Sequence, residues 1–283
     1  VLYSSLLWIA MIVLAIRVEA QGTAKGVAGC GPLEEVGANW CHHWSPCREW
    51  DDDSCVDHVK ARWTLEIGDD FYGDINRVID RLEACESGWF MFGDEWVYQD
   101  GWMDWSMPNQ IDELKWFVDL RDAHNPDCKI AFGGILAYHP SMGLSGPPWV
   151  HEFAAAYQAK YGGLPPVHAI IMDTYDWPFY GRDYYADTKA MVDAIREVYG
   201  SGVEVWAREV GCLMSHQCAL DSIPKVWRIS LLLDRHAFFV SHDPAWSYTS
   251  LWDSNWQLTD LGEAYRDMPE LHYFYLPLYR ISE

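Results

Sequence analysis

At 283 residues, half of them hydrophobic, the chain can hold one large α/β domain or two small ones, and no linker, repeat or low-complexity tract marks a boundary. Its 42 acidic against 20 basic residues give a formal net charge of −22, which argues against nucleic acid and anionic membranes as partners and suits a neutral polymer. Seventeen Trp and 16 Tyr are many for this length; flat aromatic faces stack on sugar rings, although core packing accounts for most of them.

Residues 1–20 stand apart. An apolar stretch from Leu6 to Ile16 precedes Val18-Glu19-Ala20, a small-x-small pattern before Gln21. A secretory signal whose start is truncated is the expectation, which leaves 21–283 as one domain of a secreted protein. An uncleaved membrane anchor is the alternative, because the uncharged run reaches back to Val1. Eight Cys fit an exported, disulfide-bonded chain. Cys47 with Cys55 and Cys212 with Cys218 are near enough in sequence to close small loops. A zinc reading of Cys41-His42-His43-x3-Cys47 lacks two spaced ligand pairs. Calcium at Asp51-Asp52-Asp53 competes with a plain solvated loop.

Strand-like runs at 38–41, 61–67, 88–92, 129–132, 168–172, 203–206 and 237–240 alternate with amphipathic stretches. Ile75, Val78, Ile79 and Leu82 recur at helical spacing, as do Val150, Phe153, Ala154 and Tyr157. Ile223, Val226, Trp227 and Ser230 follow the same spacing, with a serine where an apolar residue is expected. Strand–helix alternation predicts a parallel sheet covered by helices, and at this length a closed (β/α)8 barrel is the simplest solution. Only two clear strands precede 88–92, so one early strand is degenerate or 25–30 contributes. A doubly wound open sheet is the alternative; no Gly-x-Gly-x-x-Gly or Gly-x4-Gly-Lys loop accompanies it.

Two of these strands end on a carboxylate. Trp89-Phe-Met-Phe-Gly-Asp-Glu95 and Val203-Glu-Val-Trp-Ala-Arg-Glu209 each deliver a glutamate at a strand's C-terminal end, where barrel enzymes place reactive groups. Two intervening strands, at 129 and 168, put the glutamates three strands apart. Such a pair is the apparatus of glycoside hydrolysis: one protonated carboxyl donates to the leaving oxygen, and one carboxylate meets the developing cation. It requires neither an organic cofactor nor a metal. The bland reading of either glutamate is a solvated loop residue. Glu66 and Asp173 are rivals, the first as a pocket-lining group and the second as an orienting one. Glu204, an odd step from 209, faces the helices in a straight strand.

These segments resemble clan A glycoside hydrolases. Phe92-Gly93-Asp94-Glu95-Trp96 is similar to their Gly-Asn-Glu-Pro segment at strand four, and Asn125-Pro-Asp-Cys-Lys-Ile-Ala-Phe-Gly-Gly134 to the stretch that follows it. Val205-Trp-Ala-Arg-Glu209-Val-Gly211 is similar to the nucleophile strand, and residues 250–265 to the closing segment. The likeness runs from about 36 to 266, and family 128 and family 39 catalytic cores come nearest. It implies a (β/α)8 barrel, retention of configuration at a β-linked oligo- or polysaccharide, Glu95 as acid/base and Glu209 as nucleophile. It also implies that Tyr175, near where the family has a Tyr or His, contacts the nucleophile, a buried core Tyr being the alternative, and that Asp94 stands where an Asn binds the sugar 2-hydroxyl. Arg208 replaces a Thr; turned outward it matters little, and turned inward it would hold Glu209 ionised. Trp40, Trp44, Trp177 and Trp252 are candidate stacking faces, with Trp246 a further one. Tyr138 and His242 sit at strand ends as candidate substrate contacts, as do His42, His43 and His139; each of the five is also read as a satisfied structural group. A carbohydrate-binding barrel without catalysis and a metal-dependent hydrolase are the competing functions, and indifference to a chelator separates the second.

Overall fold

The structure is a computed structural model, and it describes residues 24–29, 31–42, 64–65, 75–85, 88–93, 107–138 and 146–269. Eight parallel strands form one sheet: β1 (Ala24–Ala28), β2 (Trp40–His42), β3 (Thr64–Leu65), β4 (Trp89–Phe92), β5 (Lys129–Leu136), β6 (Ala169–Tyr175), β7 (Glu204–Gly211) and β8 (Arg235–Phe239). Their order is β2-β1-β8-β7-β6-β5-β4-β3. The early strand in question is thus β1, paired in parallel with both β2 and β8. β3, with two residues, is the degenerate one.

The sheet is strongly curved. Two strands lie between β4 and β7, yet Trp89 and Trp206 meet with ring centroids 4.6 Å apart, and Trp206 also meets Trp40 of β2 at 5.7 Å. Such chords exist only if the strands wrap into an arc whose concave face is packed. That face carries Trp89, Met91, Ala131, Ala169, Ile171 and Trp206 as a cluster of its own. Gly26 makes room for Trp40, since a β-carbon there would stand 2.4 Å from the indole. At the N-terminal rim Arg235 lies over Trp206 and Trp89, with its guanidinium 4.4 and 5.4 Å from their rings. The edges β2 and β3 are joined through 43–63, outside the described residues.

Helices cover the convex face: α1 (Ile75–Ala84), α2 (Met107–His124), α3 (Pro147–Tyr161), α4 (Tyr184–Tyr199), α5 (His216–Ser230) and α6 (Asp260–Arg266). Most of the apolar residues expected at helical spacing, from Val78 and Leu82 onward, are buried against the sheet; Ile79 and Trp227 are half-buried and Ile75 is exposed. Phe92 stacks on Phe117 of α2, and Phe132 packs at a tilt against Phe153 of α3. Ser230 fits its apolar position because its hydroxyl donates to Trp227 O of the same helix at 2.7 Å. The helix α4, begun by the Asp183 side chain accepting from Tyr185 N and Ala186 N, has no counterpart in the sequence reading. On the outer side of β8, His236 is 2% exposed and edge-on to Tyr265, and neither ring nitrogen has a hydrogen-bond partner.

Two disulfides are present among the described residues. Cys212–Cys218 is one of the loops foreseen; Cys85–Cys128 ties the end of α1 to the start of β5 and was not foreseen, because its members are 43 apart. Cys47, Cys55 and Asp51 to Asp53 lie outside the described residues. Among the described residues no helix is long and apolar enough to cross a membrane, and no group of three or more His, Cys, Asp or Glu is placed to hold a metal ion.

Candidate active site

The site is built by an irregularity in β7. Against β6, Ala207 pairs with Met172, but the next residue of β6, Asp173, pairs with Glu209. Against β8, Ala207 pairs with His236 and Val210 with Phe238. One extra residue is therefore accommodated at 208–209, a β-bulge. Val205, Ala207 and Val210 face the helix side, within the main core. Trp206, Arg208 and Glu209 face the concave side. A straight strand would have turned one of the last two outward.

This bulge corrects one expectation. Glu204 does not face the helices; it accepts from the Trp206 indole at 2.7 Å and lies 3.3 Å from Arg235 Nε, on the concave side at the N-terminal rim. The odd-step argument fails because alternation restarts after the bulge, so 204 and 209 share a face.

Arg208 and Asp173 are both fully buried and form a two-point ion pair, Nε to Oδ1 at 3.1 Å and Nη2 to Oδ2 at 2.6 Å. The same Nη2 lies 3.6 Å from Glu209 Oε1. Tyr175 donates its hydroxyl to Glu209 Oε2. Glu209 is 3% exposed and thus held from two sides. His42 of β2 donates from Nε2 to Arg208 O at 2.8 Å. That bond spans the concave face, since β1 and β8 lie between β2 and β7. It fixes His42 as a structural group bracing the bulge.

A second bulge, at 133–135 of β5, flanks β6 on its other side. Gly133 permits it: φ is 135°, and a β-carbon would lie 2.3 Å from Ile171 O. Phe239 at the end of β8 closes the wall, edge-on to Tyr175 at 6.4 Å, and Trp246 stands edge-on to Phe239 at 5.7 Å.

The other predicted residues divide. Trp177 is half-buried and meets Tyr175 at 5.9 Å, beside the carboxylate. Trp40 at 1% and Trp252 at 0% exposure offer no face to a sugar; Trp252 packs in the helix-side core and donates to Glu35. His242 donates from Nδ1 to Trp252 O at 3.2 Å and packs on Trp256. Tyr138 carries Arg182 over its ring at 4.2 Å. Asp94, Glu95, Trp44, His43, His139 and Glu66 lie outside the described residues. β4 ends at Phe92, three residues short of position 95. Phe239 escaped the sequence reading; its signal was present, as a large ring two residues after Ala237 on the inward face of a strand end.

At the level of sequence, no family model and no curated protein matches the chain. Solved structures do. A GH128 (subgroup II) endo-β-1,3-glucanase from Pseudomonas viridiflava has TM-score 0.59 at 18% identity, over 88% of this chain and 99% of its own. A GH128 (subgroup III) curdlan-specific exo-β-1,3-glucanase from Blastomyces gilchristii, in complex with glucose, has TM-score 0.63 at 15% identity, over 86% and 97%. The GH39 enzyme from Xanthomonas axonopodis pv. citri has TM-score 0.59 at 13% identity, over 87% and 66%. The fold of this chain is the one shared by these GH128 and GH39 glycoside hydrolases.

Proposed function

We propose that the chain is a secreted glycoside hydrolase whose strands close into a (β/α)8 barrel over 21–283, with 1–20 as an export signal, and that it cleaves a β-linked glycan with retention. The observation that carries this reading is Glu209: a buried carboxylate at the C-terminal end of β7, oriented by Tyr175 and flanked by Arg208. Glu95 follows β4 in the sequence, and β5 and β6 lie between β4 and β7 in the sheet, an order that supports reading the two glutamates as the carboxylates of strands four and seven. The disulfides Cys85–Cys128 and Cys212–Cys218 fit an oxidising compartment.

In the first step the Glu95 carboxyl passes its proton to the glycosidic oxygen, the anomeric C–O bond breaks, and Glu209 forms an ester to the anomeric carbon. In the second, Glu95, now a carboxylate, takes a proton from water, which displaces Glu209 and frees the sugar. This requires the carboxyls to stand about 5–5.5 Å apart. The local charges suit the roles. A cation beside Glu209 favours its ionised form, and Asp94 beside Glu95 favours the protonated acid.

The test is hydrolysis of β-1,3-glucan, β-1,4-glucan, xylan and mannan, with the anomer of the first product read by NMR. β-1,3-Glucan stands first because two of the similar structures are named as β-1,3-glucanases. Glu95→Gln and Glu209→Gln are each expected to lower kcat by about a thousandfold or more while sparing binding. A wild-type chain that binds glycan and cleaves none would instead be a carbohydrate-binding barrel.

A further inference from the structure

The turn that follows β6 presents rings to water. In Trp177-Pro-Phe-Tyr-Gly181, Phe179 is 77% and Tyr180 53% exposed. Exposed apolar side chains are normally scattered singly, so two adjacent large rings on one short turn ask for a partner. The turn is also stiff. Pro178 fixes the first residue of the 3-10 segment Pro178–Tyr180, and Gly181 ends it with φ of 63°. Rings on such a backbone lose little freedom when something binds them.

The rings connect to the site. Tyr180 meets Trp177 edge-on at 6.2 Å, Trp177 meets Tyr175 at 5.9 Å, and Tyr175 donates to Glu209. A continuous run of aromatic surface leads from the buried carboxylate to solvent on the β6 side. Charge narrows the occupant. Beside the turn, Arg182 is held by Asp187, and the chain as a whole carries −22, so an anionic polymer is repelled. Faces of uncharged pyranose rings suit such a surface, because their C–H groups are apolar and their hydroxyls stay in water.

We propose that Trp177, Phe179 and Tyr180 form a stacking rail for the sugar units of an uncharged glycan chain beyond the unit that meets Glu209. The proposal rests on the glycosidase reading and deepens it: the substrate is a polymer, and a short glycoside held at Glu209 does not reach Phe179. The double variant Phe179→Ala/Tyr180→Ala tests this, since both side chains are exposed and their loss leaves the core intact. Its KM for the preferred polymer should rise about tenfold, as expected for two lost stacking contacts, with kcat unchanged. Turnover of an aryl glycoside of one or two sugar units should match wild type. Affinity electrophoresis in gels containing each of the four glycans, run in the Glu209→Gln background, supplies a readout independent of hydrolysis. Retention that falls with the two ring deletions supports the rail even where no cleavage is found, and then only the glycosidase reading fails. Unchanged KM and unchanged retention with an active wild type overturn the rail alone. Absence of both retention and cleavage on every glycan overturns both.

Discussion

Arg208 is the residue that sets the surroundings of Glu209. Its guanidinium is shared between Asp173, at 2.6 Å, and Glu209, at 3.6 Å. Tyr175 supports Glu209 from the opposite side. Glu209 and Asp173 were legible as candidates because each closes an apolar strand-type run, and Tyr175 through the resemblance to clan A enzymes. The direction of Arg208 was not legible, since it depends on the bulge. Removing Arg208 alone would strand a buried carboxylate, at about 3–5 kcal/mol of stability. The double variant Arg208→Gln/Asp173→Asn keeps two hydrogen-bonding amides and no charge. On the nucleophile role proposed for Glu209, loss of the cation makes it hold its proton more tightly, so the acidic limb of kcat/KM against pH should move to higher pH. A profile that superimposes on wild type would take Arg208 out of the chemistry. Tyr175→Phe should lower kcat by roughly 10- to 100-fold, the usual worth of a hydrogen bond to a charged group, as read by steady-state kinetics.

At the scale of elements, strand positions were read well and strand ends poorly. The runs at 129–132, 168–172 and 203–206 proved to extend to Leu136, Tyr175 and Gly211. The missed residues are Gly133, Gly134, Asp173, Thr174 and the 207–211 segment, where glycine and charge break the apolar pattern. Of these, Arg208 and Glu209 turn to the concave side, whereas Ala207 and Val210 face the helices and Thr174 bonds Thr188 of α4, so the bulge and the buried ion pair are what break the pattern there. α4 was missed because Tyr184, Thr188 and Met191 mix polar and apolar character on its buried face; Thr188 is satisfied by Thr174 and by Tyr184 O. The two disulfides differ in what they restrain. Loop-closure entropy assigns about 4 kcal/mol to Cys85–Cys128 and about 2 kcal/mol to Cys212–Cys218, given separations of 43 and 6. Cys85→Ser/Cys128→Ser should therefore lower the urea midpoint more than Cys212→Ser/Cys218→Ser.

At the scale of the molecule, the arc of eight parallel strands among the described residues followed from the alternation of strand and helix, and β1, which Gly26 within it and Gly29 after it make weak as a strand signal, supplied the early strand. Stability of the whole should depend on acid through His236. Burial, with Lys25 nearby, pushes its imidazole down from 6.5 to about 3. The folded state therefore keeps it neutral, while the unfolded chain takes up a proton below pH 6.5. Stability falls as pH drops from 6.5 toward 3, by roughly 1.4 kcal/mol per unit from this group. His236→Phe should flatten that decline in urea titrations at pH 7 and 4.5, and an unaltered slope would exclude His236 as the cause. The paired burial of Arg208 and Asp173 bears finally on descent. Neither partner tolerates the loss of the other, so the two codons are bound to change together or not at all. Relatives with threonine at the first position should carry an uncharged residue at the second, and a sequence that breaks this rule would mark a lineage in which the bulge itself has been lost.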